Sequence, residues 1–341
     1  MLITDLRPLP ARPNLEQYKK QAKELVKAHR AGTEEATYRA TRFLERAQKQ
    51  LALTDAQFVI AREHGFASWP KFAAHLKTLQ NENSPAAAFE AAADAIAQGD
   101  DELLHQLLRR NPQIVLMRSG RSHAATLLNY TGANGVEDYR QKTPPNIVQI
   151  ADLLLSAGAE VDAVARIYGG STTLSLAASS MHPERAGVQI GLLRKLLDKG
   201  AKIDGVPSCA NPILGALRNG RGQAAIFLAE RGAVLDLESA AGVGQIGVVR
   251  GLVERGEFPL EKYRSGLAWA CEYGHAPVVE YMLDAGNDPN ELISGQTPLH
   301  WAAIGCQPEI VRVLLERNAS TYPQSVWRDR TRTGLLVGRA R

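Results

Sequence analysis

The sequence predicts an all-α protein in which a small helical module precedes a long array of stacked helix pairs. Three observations carry this. Apolar residues recur three and four apart in segment after segment, the spacing of one helical face. From about residue 86 a helix–turn–helix pattern returns again and again, the mark of a repeat architecture. Between the two regimes lies Asn81-Glu82-Asn83-Ser84-Pro85, short, polar and turn-rich, as domain boundaries are.

The first 80 residues read as four helices. Leu15, Tyr18, Ala22, Leu25 and Val26 share a face, and Gly32 stands where a C-terminal cap belongs. Ala36, Ala40, Phe43, Leu44 and Ala47 line the face of a second helix. A third starts from a Thr54-Asp55 N-cap, presents Phe58, Val59, Ala61 and Arg62, and stops at Gly65. Ser68-Trp69-Pro70 opens the fourth, with Phe72, Leu76 and Leu79 inward, because proline suits a first turn that needs no donor. Lys19, Lys20, Lys23, Lys27 and Arg30 alternate with Glu16 and Glu24 and read as a solvated face.

The clearest repeat is Gly295-Gln296-Thr297-Pro298-Leu299-His300-Trp301-Ala302-Ala303-Ile304-Gly305, followed by Glu309-Ile310-Val311-Arg312-Val313-Leu314-Leu315. Thr297 caps the first helix and Pro298 fits its first turn. Ala302 and Ala303 are small where neighbouring helices approach, and Val311, Leu314 and Leu315 supply the apolar face of the second helix. One such unit cannot bury both faces, so stability comes from stacking. Weaker copies begin at Leu267, Ser239, Asn211, Thr173 and Thr126; the first, Phe89 to Leu108, is the most degenerate, as a capping repeat is. About seven repeats result. The Thr-Pro-Leu-His-x-Ala segment and its partner helix resemble the ankyrin repeat. The whole chain resembles bacterial ankyrin-repeat proteins with an N-terminal helical leader, on Gln21-Ala22-Lys23-Glu24-Leu25 and Ala61-Arg62-Glu63-His64-Gly65-Phe66-Ala67-Ser68-Trp69-Pro70-Lys71. That resemblance implies an all-α ankyrin-repeat solenoid capped by the helical module, and no activity. The expected division is 1–80 helical module, 81–85 linker, 86–320 ankyrin-repeat domain and 321–341 basic C-terminal tail.

Charge bears on the partner. Residues 1–80 hold 14 Lys/Arg against 8 Asp/Glu, residues 81–320 hold 21 against 27, and residues 321–341 hold 5 against 1. A mildly acidic central domain argues against nucleic acid, which needs clustered positive charge. No apolar run reaches the roughly 18–20 residues of a membrane helix, and Met1 to Pro8 lacks the pattern of a signal peptide. Cys209, Cys271 and Cys306 are widely spaced, with no paired-cysteine motif, so neither a disulfide framework nor a metal site is expected. The expectation is a cytoplasmic protein without metal or cofactor.

The ankyrin resemblance puts the first helices on a concave face with loops projecting beside it as fingers. The residues it turns to the groove are, first, Tyr130, Leu176, Gly215, Ser239, Trp269 and Trp301, and then those at the helix ends: Ala133 and Asn134, Ser179 and Ser180, Arg218 and Asn219, Gly242 and Val243, Glu272 and Tyr273, Ile304 and Gly305. Trp269, Trp301 and Tyr273 form an aromatic end, suited to anchoring a partner. Two insertions, Val136 to Pro145 and Met181 to Val188, and the finger Arg166 to Ser171 depart from the repeat and belong to its rim. Recognition of a peptide, protein segment or small ligand is therefore expected at Tyr130, Asn134, Arg140, Tyr168, Ser179, Asn219, Trp269, Glu272, Tyr273 and Trp301. The alternative is an unusual hydrolase, glycosidase- or lactonase-like, drawing on Glu137, Asp138, Glu184 and Glu272 with His123 and His182. No established catalytic motif supports it. His300 has a structural role in the resemblance, bonding nearby backbone. The pattern ends at Ser320; an uncapped last repeat would leave Val311, Leu314 and Leu315 partly exposed and invite a homodimer.

Overall fold

A computed structural model describes residues 6–10, 12–44, 50–81, 83–256 and 258–321. Ala47, Glu82, the first five residues and the basic tail from Tyr322 onward lie outside the described residues. The chain divides into two units, 1–224 and 225–341, with the division inside one helix. Among the described residues there are nineteen α-helices, and extended pairing amounts to two isolated bridges, Ala165–Ser171 and Ile293–Gln296.

The leader comprises α1 (Leu15–Arg30), α2 (Glu34–Thr41), α3 (Leu53–Glu63) and α4 (Trp69–Leu79). Its core gathers Tyr18, Leu25, Val59, Ile60, Phe72 and Leu76, each large apolar side chain contributing about 1.5–3 kcal/mol on full burial. Aromatic geometry organises it. The His64 ring stacks on Phe72 at 5.1 Å, and Tyr18 meets both edge-on. Arg39 grips Glu63 through two bonds of 2.7 and 2.8 Å. Helix α3 starts at least two residues earlier than the sequence predicts: Ala52 is the cap, and Asp55 accepts its N–H from the third position.

Seven successive helix pairs follow, matching the repeat count expected. They are α5 (Pro85–Gln98) and α6 (Asp101–Arg110); α7 (Leu127–Tyr130) and α8 (Ile147–Ser156); and α9 (Thr173–Ser179), with the short α10 (Met181–Arg185) before α11 (Gln189–Asp198). Then come α12 (Pro212–Arg218) and α13 (Gly222–Glu230), α14 (Leu237–Gly242) and α15 (Ile246–Arg255), α16 (Leu260–Tyr273) and α17 (Ala276–Asp284), and α18 (Pro298–Ile304) and α19 (Pro308–Glu316).

The repeat logic is visible at the starts of α7, α9, α14 and α18, where Thr126, Thr172, Asp236 and Thr297 stand at the cap and the side chain three positions on reaches back. Thr297 N–H donates to His300 Nδ1 at 3.3 Å, the backbone bond expected of His300, and Thr297 Oγ1 lies 2.7 Å from the same nitrogen. In the second pair Asn129 takes the histidine's place. Its oxygen accepts from Thr126 N–H, and its amide donates to Ala163 O and Thr173 Oγ1 in the repeat that follows. Ser175 likewise donates to Ala210 O at 2.7 Å.

Within the first unit the leader docks on the opening repeats. Ser122 N–H donates to Gly65 O, Leu6 N–H to Asp138 Oδ1, and the Arg121 guanidinium lies 5.5 Å from the Phe66 ring centre. The boundary stretch is a turn, with Ser84 donating to Thr78 O and capping α5 at Ala87 N–H. In the second unit Leu267, Val278, Met282, Ile310 and Leu314 form one core. The second helix of the last repeat is partly exposed, as expected, except at Leu314. Leu314 is fully buried and Val311 packs on the core, leaving Leu315, 45% exposed, as the open member of the trio.

Candidate functional site

Helix geometry decides which repeat positions are open. In α9, α14 and α16, six consecutive residues (Thr173 to Ala178, Leu237 to Gly242 and Gly266 to Cys271) are all buried. Six residues at 100° apiece cover every side of a helix, so these helices are enclosed all round. The first set of groove positions is corrected accordingly: Tyr130, Leu176, Ser239 and Trp269 are buried, while Gly215 and Trp301 are half-buried. Trp301 donates its indole N–H to Ile293 O at 3.3 Å. The helix ends are mixed: Ala133, Ser180, Gly242 and Val243 are buried, against expectation, whereas Asn134, Ser179, Glu272, Tyr273 and Gly305 are half-buried and Arg218, Asn219 and Ile304 are exposed.

In the first unit these ends join with the finger Arg166 to Ser171. Tyr168 Oη donates to Asn134 Oδ1 at 2.9 Å, and Asn134 Nδ2 donates to Ser179 Oγ at 3.0 Å and Leu176 O at 3.4 Å. Three residues singled out from the sequence thus form one hydrogen-bonded chain across two repeats. Gly215 of the next repeat lies beside Ser179, where an added Cβ would stand 3.7 Å from Ser179 Cβ. One turn on, Asn219 donates to Gly215 O at 2.8 Å. Two backbone positions are strained for this: Ala133 at φ 45° and Tyr168 at φ 50°, each costing on the order of 1 kcal/mol. Gly135, at φ 71°, lies where a Cβ would collide with Ile167 Cγ2. Tyr168 nevertheless stands 58% exposed.

The other set of candidates forms a different structure. Glu137, Arg140, His123 and Tyr130, foreseen on a solvated rim or groove, are buried. Their insertion folds inward because its charges meet partners from distant segments. Arg121 Nη1 lies 2.6 Å from Glu90 Oε1, and Arg121 Nε lies 2.7 Å from Glu137 Oε1. Arg140 reaches Glu90 at 2.9 Å, Asp94 at 2.7 Å and Glu137 at 3.3 Å. Tyr130 donates its hydroxyl to Glu137 at 3.2 Å. His123 Nδ1 accepts from Ala125 N–H, leaving the ring proton on Nε2, 3.7 Å from Glu137. The adjacent guanidinium of Arg121 holds Glu137 far below the ordinary carboxylate range despite its burial, and Glu90 is lowered by Arg121 and Arg140. Burial raises the Tyr139 hydroxyl to about 12.

Glu90, Asp94, Arg121 and His75 were not singled out in the sequence. A signal existed: Glu90 and Asp94, four apart, are the two acids on an otherwise alanine-rich α5.

The remaining catalytic candidates do not converge. Asp138 accepts from Leu6 N–H, Glu184 is ion-paired with Arg221, and the half-buried His182 is lowered by burial. Glu272, whose carboxyl burial raises, belongs to the second unit. Among the described residues no group of three or more His, Cys, Asp or Glu is placed to hold a metal, and no helix is long and apolar enough to cross a membrane.

Residues 237–325 match the family described as ankyrin repeats (3 copies). Over 235 residues the chain is 27% identical to the ankyrin repeat and KH domain-containing protein mask-1 of Caenorhabditis elegans. That match covers 66% of the chain and spans 8% of the length of the relative. Among solved structures, the human ASB11 ankyrin repeat domain aligns at 21% identity and a TM-score of 0.41, covering 68% of the chain and 99% of that domain. The ankyrin repeat domain of Bcl-3, a member of the IkappaB protein family, aligns at 20% and 0.36, covering 65% and 96%.

Proposed function

From a chain whose residues 237–325 match ankyrin repeats, we propose a recognition protein that takes a peptide or protein segment across Asn134, Tyr168, Ser179 and Asn219 of its first unit. Ankyrin repeats are in general protein-interaction modules, and the observation that carries the reading here is Tyr168. The residue is 58% exposed, yet its backbone is held at φ 50° and its hydroxyl is fixed by Asn134. Strain and immobilisation of an exposed aromatic add nothing to stability; they lower the entropic cost of using that ring as an anchor. The amide and hydroxyl row beside it supplies donors and acceptors suited to an extended backbone.

The test starts from a displayed peptide library selected against the full chain, followed by affinity measurement on Tyr168→Ala and Asn134→Ala. Tyr168→Ala is expected to weaken the selected peptide at least about tenfold, as loss of an aromatic anchor does, with Asn134→Ala weakening it less. Wild-type affinity in both variants would contradict the reading. The hydrolytic alternative has no comparable observation in its favour, because its carboxylates are paired, buried or distributed between the two units.

A further inference from the structure

Two arginines flank the row of Tyr168, Asn134, Ser179 and Asn219, whose own side chains carry no charge. Helix geometry sets Arg218 at one end. Gly215, Arg218 and Asn219 stand three and four apart at the close of α12 and so share a face, and Gly215 lies beside Ser179. Backbone bonds set Arg166 at the other end. Its N–H donates to His123 O at 2.7 Å, and Arg118 Nη1 donates to Val164 O at 2.6 Å. The bridge between Ala165 and Ser171 then closes the finger with Arg166 and Tyr168 inside it. Arg166 and Arg218 are both exposed, and among the described residues neither guanidinium has a hydrogen bond or an ion pair. The acids around them are engaged elsewhere. Glu184 is ion-paired with Arg221, Asp138 accepts from Leu6 N–H and Asp162 from Lys202 N–H, while Glu160 stands outside the closed finger. A third cation, Arg185, ends the short α10 that follows Ser179, and burial and the Arg185 charge together lower His182. An uncharged row thus lies under a positive field.

We infer that the segment recognised here is acidic, with an aspartate or glutamate carboxylate against Arg166 at one end of the row and another against Arg218 at the other. This rests on the reading of the Tyr168 surface as a recognition site and adds the chemistry of the partner to it. A guanidinium takes a carboxylate through two parallel bonds. Single, separated guanidinium groups suit separated carboxylates, whereas a nucleic-acid backbone needs clustered positive charge. Exposed pairs contribute little each to affinity; their larger effect is on the choice of partner and the rate of encounter.

Selection from a displayed library of short random segments, run on the full chain and on Arg166→Glu/Arg218→Glu, tests this. The wild type is expected to enrich Asp and Glu, and the double variant Lys and Arg. For peptides selected on the wild type, Arg166→Gln/Arg218→Gln is expected to weaken binding about three- to tenfold. Raising salt from about 0.05 to about 0.5 M is expected to slow their association about tenfold. Both side chains are exposed and unpaired, so the variants should melt with the wild type. Tyr168→Ala keeps the two readings apart. Peptides that lose affinity in that variant yet carry no excess of acids, that have the same composition from both selections, or that bind the Gln variant as they bind the wild type overturn this inference and leave the recognition surface standing. So does Tyr168-dependent binding of an oligothymidylate of the same length more tightly than the selected peptides, which would assign the arginines to nucleic acid. An empty selection, or peptides that bind Tyr168→Ala as they bind the wild type, overturns the surface and this inference with it.

Discussion

Arg121 Nε lies 2.7 Å from Glu137 Oε1 with both side chains shut away from solvent. Arg121 comes from the loop that carries the leader's contact at Gly65, and Glu137 from the insertion after α7. Their pairing therefore ties leader to repeats at the level of charge. Removing one partner leaves the other buried and uncompensated. Glu137→Gln is expected to lower the unfolding free energy of the first unit by about 3–5 kcal/mol, read from urea denaturation at neutral pH. The double variant Arg121→Met/Glu137→Leu should lose less than the sum of the two single changes. A Glu137→Gln protein as stable as wild type would show that the pair has no such role.

The leader should be acid-sensitive through His64. Its ring donates to Arg7 O at 2.7 Å and stacks on Phe72, and burial pushes it from 6.5 down to about 4. Above 6.5 neither folded nor unfolded chain protonates it. Between 6.5 and about 4 the unfolded chain takes up a proton that the folded one refuses, so stability falls as pH falls, by up to about 3 kcal/mol. His75, lowered by the same cause, adds in the same direction. The melting temperature of the wild type should drop between neutral pH and about pH 5, and His64→Gln should flatten that slope. A slope unchanged in the variant would assign the sensitivity elsewhere.

Much of the fold was readable because its signals are local. Asn14, Ser84, Asp100, Thr172 and Asn211 all cap helices with side chains within three positions. Left-handed glycines such as Gly99 and Gly274 end them. The site was readable where it follows from the same rules. Ser179 ends α9, Asn134 lies in the turn after α7, and Tyr168 stands in a finger of unusual length. Tyr130, Glu137 and Arg140 were misplaced because a charged insertion looks the same on a rim as in a core until its partners are known. Those partners, Glu90 and Arg121, are separated from them in sequence by 9 to 50 residues. Trp269 was misplaced for another reason: α16 runs fourteen residues and is enclosed on every side around that ring.

Gly135→Ala should disturb the finger selectively. The residue holds φ 71°, and a Cβ there meets Ile167 beside Tyr168. A left-handed alanine costs about 1 kcal/mol before any clash, so a loss of about 2 kcal/mol or more is expected, together with loss of the selected peptide's binding. Calorimetric unfolding checks the first and a binding titration the second. Undiminished affinity would separate the finger from recognition.

Thiol labelling gives a simple check of the second unit. Cys306 is exposed, whereas Cys271 is buried and its thiol is pushed well above the ordinary range by burial. Since the thiolate is the reactive form, Cys306 should label quickly under native conditions and Cys271 only on unfolding. Native labelling of Cys271 would contradict the enclosed α16.

The measurement closest to the central claim is amide hydrogen exchange of the full chain with and without the selected peptide. Recognition at the finger predicts new protection in residues 133–135, 166–171 and 179–180, which surround the Tyr168–Asn134–Ser179 chain. Protection confined to other segments, with 166–171 exchanging as in the free protein, would contradict it.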